Sequence, residues 1–433
     1  MIDVAAVVVL FGSFVVLIAC GMHIAFALGV SSVFTFIYLG LPLEQVVQNM
    51  VRGINVFALM AVPFFIVAGE VMGQGGISRR LIQFSNSIVG WFRGGLAMVN
   101  VVASMFFGGI SGSAAADTAS IGSILIPIMK EEGYEDDFSA GITVASSIQG
   151  ILIPPSHNMV IFSLAAGGVS IGRLFLAGFA PGLLLGVALM IYSFVIARKR
   201  GYPKGDAFSL LNILKSAFSS IWGLGTVVIV VVGVVGGAFT ATESAAIAVL
   251  YSLIIAVFVY RELPPKRIKT VLSRTIQTLS AIMILVGSAT AFGWLITYLE
   301  IPVAVTNFLL GLSTNKYIIF LIINVLLLFL GTFLNMVSII LILTPILLPV
   351  VTTLGMDPVH FGVVMILNLG IGLITPPVGT VMFIGSAVSG VSVERLTRAL
   401  VPFYIVMVIT LLVVTFVPDF VMFLPNWFMP PLR

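Results

Sequence analysis

The chain has 433 residues, of which 60% are hydrophobic and only 8% charged, with a formal net charge of +4. A soluble domain carries roughly a quarter charged residues, so this composition excludes a water-soluble globular fold and points to a chain that crosses a bilayer many times. The single cysteine, Cys20, excludes an internal disulfide, and the basic residues gather in short loops, a pattern that orients a membrane protein rather than one that grips nucleic acid.

In chain order, apolar windows predict spanning helices near 3–20, 24–40 and 54–74, followed by a basic amphipathic stretch with Arg79, Arg80 and Arg93. The start, Met1-Ile2-Asp3, lacks a basic n-region, so the first apolar run is expected to be kept as a helix. Two half-length arms near 95–110 and 114–130 flank Ser111-Gly112-Ser113 and predict a re-entrant hairpin. After the acidic turn from Glu131 to Asp137, a window at 138–170 is interrupted by Ile153-Pro154-Pro155-Ser156, where two adjacent prolines remove backbone donors and break the helix. A helix at 173–197 then ends on Arg198-Lys199-Arg200.

Helices near 217–239 and 243–260 return to a second basic loop, Arg261 to Lys269, and the positive-inside rule places both basic loops in the cytoplasm. From Lys269 a helix runs to about 299, then a short amphipathic arm, then arms near 316–331 and 337–351 around Thr332 to Met336, a second hairpin. A final broken helix at 358–390 carries Thr375-Pro376-Pro377, and a last span ends near 422. Counted this way there are about ten spanning helices, with both termini outside. Four segments follow: scaffold helices and arm (1–94), first hairpin and broken helix (95–197), second scaffold and arm (198–315), and second hairpin and broken helix (316–433).

The two halves align without a gap at an offset of 222 residues. Gly109 matches Gly331, Pro127 matches Pro349, Gly133 matches Gly355 and Gly150 matches Gly372; the two Pro-Pro pairs match, as do Gly168-Val169-Ser170 with Gly390-Val391-Ser392 and Arg173 with Arg395. Gly and Pro fix backbone shape, so the halves share breaks and turns. The parity of the helices between the halves makes the repeat inverted, with the first hairpin entering from the cytoplasm and the second from outside. Paired broken segments in inverted halves are the pattern of a secondary transporter with its site at the repeat interface, because irregular backbone at membrane depth survives only inside protein or along a wet cavity.

The candidate binding residues follow from those breaks. Ser111 and Ser113 stand at the first hairpin tip and Asp117 one turn beyond it, an ionisable residue at membrane depth. Serines in membrane helices commonly bond their own backbone, and the hairpin context together with Asp117 is what favours binding for the cluster. The first break adds Ser146, Ser147, Gln149 and Gly150, then Ser156, His157 and Asn158; His157 is equally readable as an interior or loop histidine. The second half adds Gly331, Thr332 and Asn335, then Asn368, Gly370, Gly372, Thr375, Gly379 and Thr380. Substrate contacts are expected at Ser111, Ser113, Asp117, Ser156, Asn158 and Asn335. Carbonyls and hydroxyls at Gly109, Ser111, Ser147, Gly150, Gly331, Thr332, Gly372, Thr375, Gly379 and Thr380 suit a hard cation such as Na+, or serve simply as loop backbone. Glu70 and Glu243 read as cap or water-facing carboxylates, and His23 and His360 as end residues. No Walker A loop, metal-ligand cluster or nucleophile elbow is present. An intramembrane enzyme built on Asp117 would need a second catalytic group, and its repeat-equivalent is Ile339. The chain therefore reads as a non-enzyme without an organic cofactor, dependent on an ion gradient.

At these residues the sequence resembles the DctM family, the large membrane subunit of tripartite ATP-independent periplasmic (TRAP) transporters. The resemblance rests on Pro63-Phe-Phe-Ile-Val-Ala-Gly69-Glu70 with Gly75-Gly76-Ile77, the Gly-Ile-Ser-Gly-Ser-Ala-Ala-Ala-Asp run, Gly133-Tyr134, Ile153-Pro-Pro-Ser156, Thr242-Glu243, Gly355-Met-Asp-Pro358 and Ile374-Thr-Pro-Pro-Val-Gly379. It implies an all-α, elevator-type fold in a bacterial inner membrane and Na+-coupled import of a carboxylate-bearing acid. It also implies two partners, a periplasmic solute-binding protein and a small four-helix membrane subunit. It carries substrate and ion contacts onto Ser111, Ser113, Asp117 and both Pro-Pro breaks. Two positions depart from the pattern, which has an acidic residue near Asn335 and a proline where Ala241 stands. The remaining alternative is a stand-alone Na+/carboxylate symporter of related fold.

Overall fold

The computed structural model describes residues 3–205, 207–313 and 315–430. Among them the chain is almost entirely helical, and its one β-type pairing is an isolated bridge between Arg93 and Lys204. The first half holds α1 (Val4–Ala19), α2 (Ile24–Tyr38), a short amphipathic α3 (Glu44–Ile54), a 3-10 turn (Phe57–Met60) leading into α4 (Ala61–Gln74), and α5 (Ile77–Val89). It continues with α6 (Gly95–Ser111), α7 (Ala114–Glu131), α8 (Asp136–Ser146), α9 (Gln149–Leu152), α10 (His157–Ala165) and α11 (Ile171–Arg200). The second half holds α12 (Leu210–Val235), α13 (Ala241–Ile254) extended by a π-helical turn, α14 (Pro265–Tyr298), α15 (Ile301–Leu312), α16 (Lys316–Gly331), α17 (Met336–Thr353), α18 (Pro358–Leu373), α19 (Thr380–Ser389), α20 (Val393–Phe416) and α21 (Pro418–Phe428).

Local chemistry explains the boundaries. Asp3, Ser113, Ser170, Ser209, Asn315, Asn335, Asp357 and Ser392 each turn a side-chain oxygen onto an orphan N–H of the helix they precede. Thr240 and Glu243 form a reciprocal capping box at the start of α13, the capping role expected for Glu243. Pro418 ends the last span at Phe416, short of the expected 422. His23 caps α2 by position, whereas His360 lies inside α18, buried, with Nε2 2.7 Å from the Val414 carbonyl oxygen. Glu70 lies 3.9 Å from the Arg274 guanidinium and 3.5 Å from the Gln74 amide.

Among the described residues, seven helices are long and apolar enough to cross a bilayer, and the bent pair Asp136–Leu152 with His157–Ala165, which turns through 51°, makes an eighth. The count of ten from sequence includes α1 and α2, which at 16 and 15 residues fall below a full crossing, and the α18–α19 pair. α17 has 18 residues, enough to span on its own, although the sequence assigns it to a half-length arm. Phe218, Phe258 and Phe308 are exposed on the outer surface, the arrangement of a body solvated by lipid.

The 222-residue offset recurs in the helices. Shifted by 222, α17 covers 114–131, the span of α7, and α20 begins where α11 begins. α14 shifts onto 43–76, the combined span of α3, the 3-10 turn and α4, so one 34-residue helix in the second half stands where the first half is broken at Asn55-Val56. The halves interlock: α7 packs along α19 and α17 packs along α10, which are equivalent pairs under the offset. A second body, α1 to α4 with α13 and α14, packs beside them.

Candidate functional site

Each hairpin turn is pressed onto its own half's break. Gly108 and Gly150 meet backbone to backbone, so a Cβ on Gly150 would stand 3.0 Å from Gly108 Cα. Gly112 takes the left-handed conformation (φ +60°), and a Cβ there would stand 2.8 Å from the Pro155 carbonyl oxygen. In the second half a Cβ on Gly372 would be 2.6 Å from the Gly331 carbonyl carbon, and the Val378 N–H donates to the Thr332 carbonyl at 3.1 Å. Pro154 and Pro155 have no N–H, so the carbonyls of Gly150 and Ile151 lose their ordinary helical donors. At the equivalent place the Gly372 carbonyl accepts the Thr375 N–H at 3.0 Å instead.

Between the two tips lies a cavity of about 130 Å³ lined by Ser113, Ala114 and Ala115, by His157 and Asn158, by Asn335, Met336 and Val337, by Thr380 and Val381, and by Ile151 and Leu373. The first four groups are the N-terminal residues of α7, α10, α17 and α19. Ten of the twelve lining residues are five pairs related by the offset: Ser113 with Asn335, Ala114 with Met336, Ala115 with Val337, Ile151 with Leu373, and Asn158 with Thr380. Four helix N-termini therefore converge on one small space. Each carries roughly half a positive charge and unsatisfied N–H groups, so the space suits an anion. Its side chains are neutral apart from the titratable His157.

Of the expected substrate contacts, Ser113, Asn158 and Asn335 line the cavity, and Ser111, Asp117 and Ser156 do not. Ser111 ends α6, and its backbone faces Gly69 of α4, where a Cβ would be 3.1 Å from Ser111 Cα. Ser156 is fully buried at the break with its hydroxyl unpartnered. Asp117 is fully buried behind the tip, with neither carboxylate oxygen hydrogen-bonded, and a Cβ on Gly150 would be 3.8 Å from Asp117 Oδ2. The residues expected to hold a cation fall into two groups flanking the cavity: Gly109, Ser111 and Gly150 at the first tip and break, and Gly331, Thr332, Gly372, Thr375 and Gly379 at the second, with Thr380 in the cavity wall. The Ser147 hydroxyl donates to the Val144 carbonyl at 2.8 Å, as the Thr332 and Thr375 hydroxyls donate to Phe329 and Ile371 at 2.8 and 2.7 Å. Their oxygens keep a lone pair for a cation. Among the described residues no three His, Cys, Asp or Glu side chains could share a metal ion.

Sequence reasoning missed two features. One is the set of backbone positions at the N-termini of α7 and α17, whose signal was the capping residue just ahead of each. The other is a pair of buried polar clasps that tie each hairpin to its broken helix. Ser104 and Asn100 of α6 reach Ser146 at 3.1 Å each, and Asn324 of α16 receives the Asn368 amide at 3.0 Å. Ser146 and Asn368 are equivalent under the offset.

The comparisons agree with the resemblance in the motifs. Residues 11–420 match the family model described as the tripartite ATP-independent periplasmic transporter, DctM component. The chain is 40% identical to the sialic acid TRAP transporter large permease protein SiaM of Vibrio cholerae, over 95% of this chain and 97% of that one. It is 43% identical to the isethionate TRAP transporter permease protein DctMQ of Oleidesulfovibrio alaskensis, over 96% of this chain and 66% of that one. The YdaH transporter of Alcanivorax borkumensis shares the fold, with a TM-score of 0.63 at 14% identity, covering 86% of this chain and 88% of that one. A transporter family thus accounts for the matched length, the apolar helices and the paired breaks together: the chain is a multi-pass membrane protein of the DctM family of TRAP transporters, not an enzyme.

Proposed function

We propose that the chain is the large membrane subunit of a Na+-coupled importer for a carboxylate-bearing organic acid, of the sialic acid, sugar acid or C4-dicarboxylate class. The acid arrives from a periplasmic binding protein, and the chain works with a small four-helix membrane subunit in a bacterial inner membrane. The observation that carries this reading is the convergence of four helix N-termini, two from each half, on one cavity. A carboxylate held there needs no buried arginine or lysine, because the N–H groups and half-charges of the helix ends supply the positive potential. Asn158, Thr380, Asn335 and Ser113 add side-chain donors for carboxylate or hydroxyl oxygens.

The Na+ sites flank the cavity at the two tip-to-break contacts, so filling them fastens each tip and completes the anion site. Two Na+ carried with a monoanion leave one net positive charge, driven inward by about 2.3 kcal/mol per 100 mV. α7 with α19 and α17 with α10 form one body of re-entrant hairpins and broken helices, which moves as an elevator against the body of α1 to α4, α13 and α14. The basic loops face the cytoplasm and both termini the periplasm. The test is uptake of labelled sialate or C4-dicarboxylate into proteoliposomes holding the chain, its small subunit and a loaded binding protein. Uptake that needs both Na+ and the binding protein supports the reading. Na+-dependent uptake without the binding protein would point instead to a stand-alone symporter, and uptake indifferent to Na+ would refute coupling.

A further inference from the structure

Beyond the central cavity, an apolar-walled groove of about 410 Å³ lies between the two bodies. One wall is α3 and α14, with Asn49, Arg52, Thr290, Trp294 and Thr297; the other is α10 and α17, through Leu164, Ala165, Leu341 and Pro345. The second wall is built from the same two helices whose N-termini line the cavity. Leu341 is four residues beyond Val337 on α17, and Ala165 is eight beyond His157 on α10. At 1.5 Å per residue the groove begins about 6 to 12 Å from the cavity along those helices. It lies at the end of the bundle where α10 finishes and α11 begins, opposite the Arg198-Lys199-Arg200 loop at the other end of the 30-residue α11.

Arg52 is the one charged residue lining this groove, and it is exposed. It makes no ion pair among the described residues, where the bridges are Arg80 with Glu262, Lys130 with Asp136, Arg200 with Glu135 and Arg274 with Glu70. The backbone beside it is seated by close packing, since its neighbour Gly53 lies against the Thr290 side chain of α14, leaving no room for a side chain there. Trp294 forms a stiff wall nearby, stacked between Phe36 at 5.3 Å and Tyr298 at 5.0 Å. An uncommitted guanidinium at the rim of an otherwise neutral groove attracts anions and can grip a carboxylate in a two-pronged hydrogen bond.

We propose that this groove is a transit subsite for the organic anion, in which Arg52 receives the carboxylate at the outer face before it reaches the helix N-termini of the central cavity. The inference rests on the transport reading above, and its test separates the two. In full-length protein carrying Cys20→Ser, a thiol is placed in the groove by Gly293→Cys, a position where an added Cβ meets nothing within 4 Å. The rates of modification by a negatively charged and a positively charged methanethiosulfonate reagent are compared with Arg52 present and after Arg52→Gln. Arg52→Gln is expected to lower the anion-to-cation rate ratio by about 3- to 10-fold at low salt, an electrostatic effect on encounter that high salt removes. An unchanged ratio overturns the subsite, whether or not the protein transports anything.

The second arm is uptake of labelled sialate and C4-dicarboxylate by the complete tripartite system. Arg52→Gln is expected to raise the KM about 5- to 10-fold with kcat held, and Arg52→Lys to restore part of the loss. A changed labelling ratio with an unchanged KM for every transported acid overturns the proposal, since the groove then holds another anion, such as a lipid phosphate. Loss of kcat that Arg52→Lys does not restore assigns Arg52 a structural role and overturns it as well. Failure of the wild-type system to take up any acid would count against the transport reading, and the labelling arm would still decide whether the groove is an anion site.

Discussion

Ser113 and Asn335 stand 222 positions apart, each caps the helix that follows it, and both line one cavity. The Ser113 hydroxyl accepts the Ala116 N–H at 3.3 Å, and the Asn335 side-chain Oδ1 accepts the Val337 N–H at 2.9 Å. Each side chain thus orders a helix end that also faces the cavity, which couples the folding of the tips to the shape of the site.

Backbone contact between tip and break makes glycine obligatory at Gly372. Gly372→Ala sets a methyl 2.6 to 2.7 Å from three backbone atoms of Gly331, none of which can swing aside. The expected cost is about 1–3 kcal/mol, read as a lowered midpoint of thermal unfolding in detergent. Gly293→Ala, in open space on α14, is expected to be neutral or to stabilise by about 0.5–1 kcal/mol. Equal effects at the two positions would contradict the packing.

Asn158 and Thr380 are equivalent under the offset and face one cavity. Asn158→Ala and Thr380→Ala are each expected to raise the KM for the acid about 10- to 100-fold, the loss of one hydrogen bond to a charged group. In the double variant the effects should depart from additivity, because both donors serve one solute. Strict additivity in uptake kinetics would place them on separate groups.

Much of the fold was legible because Gly and Pro dictate backbone shape directly. The offset, the two Pro-Pro breaks, the tip at Gly112 and the arm at α15 all follow from residues that leave the chain few alternatives. The break at Asn55-Val56 lies beside the expected start of a span near 54, but α3 at Glu44–Ile54 was not legible, because its polar face interrupts the apolar pattern. At the site, Ser113, Asn158 and Asn335 were found by their places beside breaks. Ser111 and Asp117 were drawn into the same cluster by sequence proximity, but α6 and α7 diverge from a tight turn at Gly112, and one helical turn takes Asp117 behind the tip. Periodicity cannot show which way a tip faces.

Asp117→Asn separates that geometry from a direct substrate role. The carboxylate is buried with both oxygens unpartnered, so in Na+-free buffer the neutral amide is expected to raise stability by about 1–3 kcal/mol. The KM for the acid should stay unchanged, since the side chain does not line the cavity. A raised KM with unaltered stability would return Asp117 to the substrate.

Na+ dependence has its own variant. The Thr375 hydroxyl gives its proton to the Ile371 carbonyl at 2.7 Å, which leaves its oxygen free to face a cation beside Gly372 and Gly331. Thr375→Val keeps the shape and removes that oxygen. The Na+ concentration for half-maximal uptake is expected to rise about 5-fold or more, with the solute KM at saturating Na+ little changed. No shift in the Na+ dependence would remove Thr375 from the ion site.

The central claim is that an anion sits among four helix N-termini, and Asn158→Asp tests it most directly. Aspartate is isosteric with asparagine and is favoured in the first turn of a helix, so α10 and the unfolding midpoint should be preserved. A new negative charge in the cavity wall, within about 5 Å of a bound carboxylate, opposes binding by roughly 3 kcal/mol at an effective dielectric constant of 20. Measured as the concentration dependence of labelled acid uptake into proteoliposomes at saturating Na+, the KM is predicted to rise by about 100-fold. An unchanged KM in a protein of unchanged stability would contradict the account.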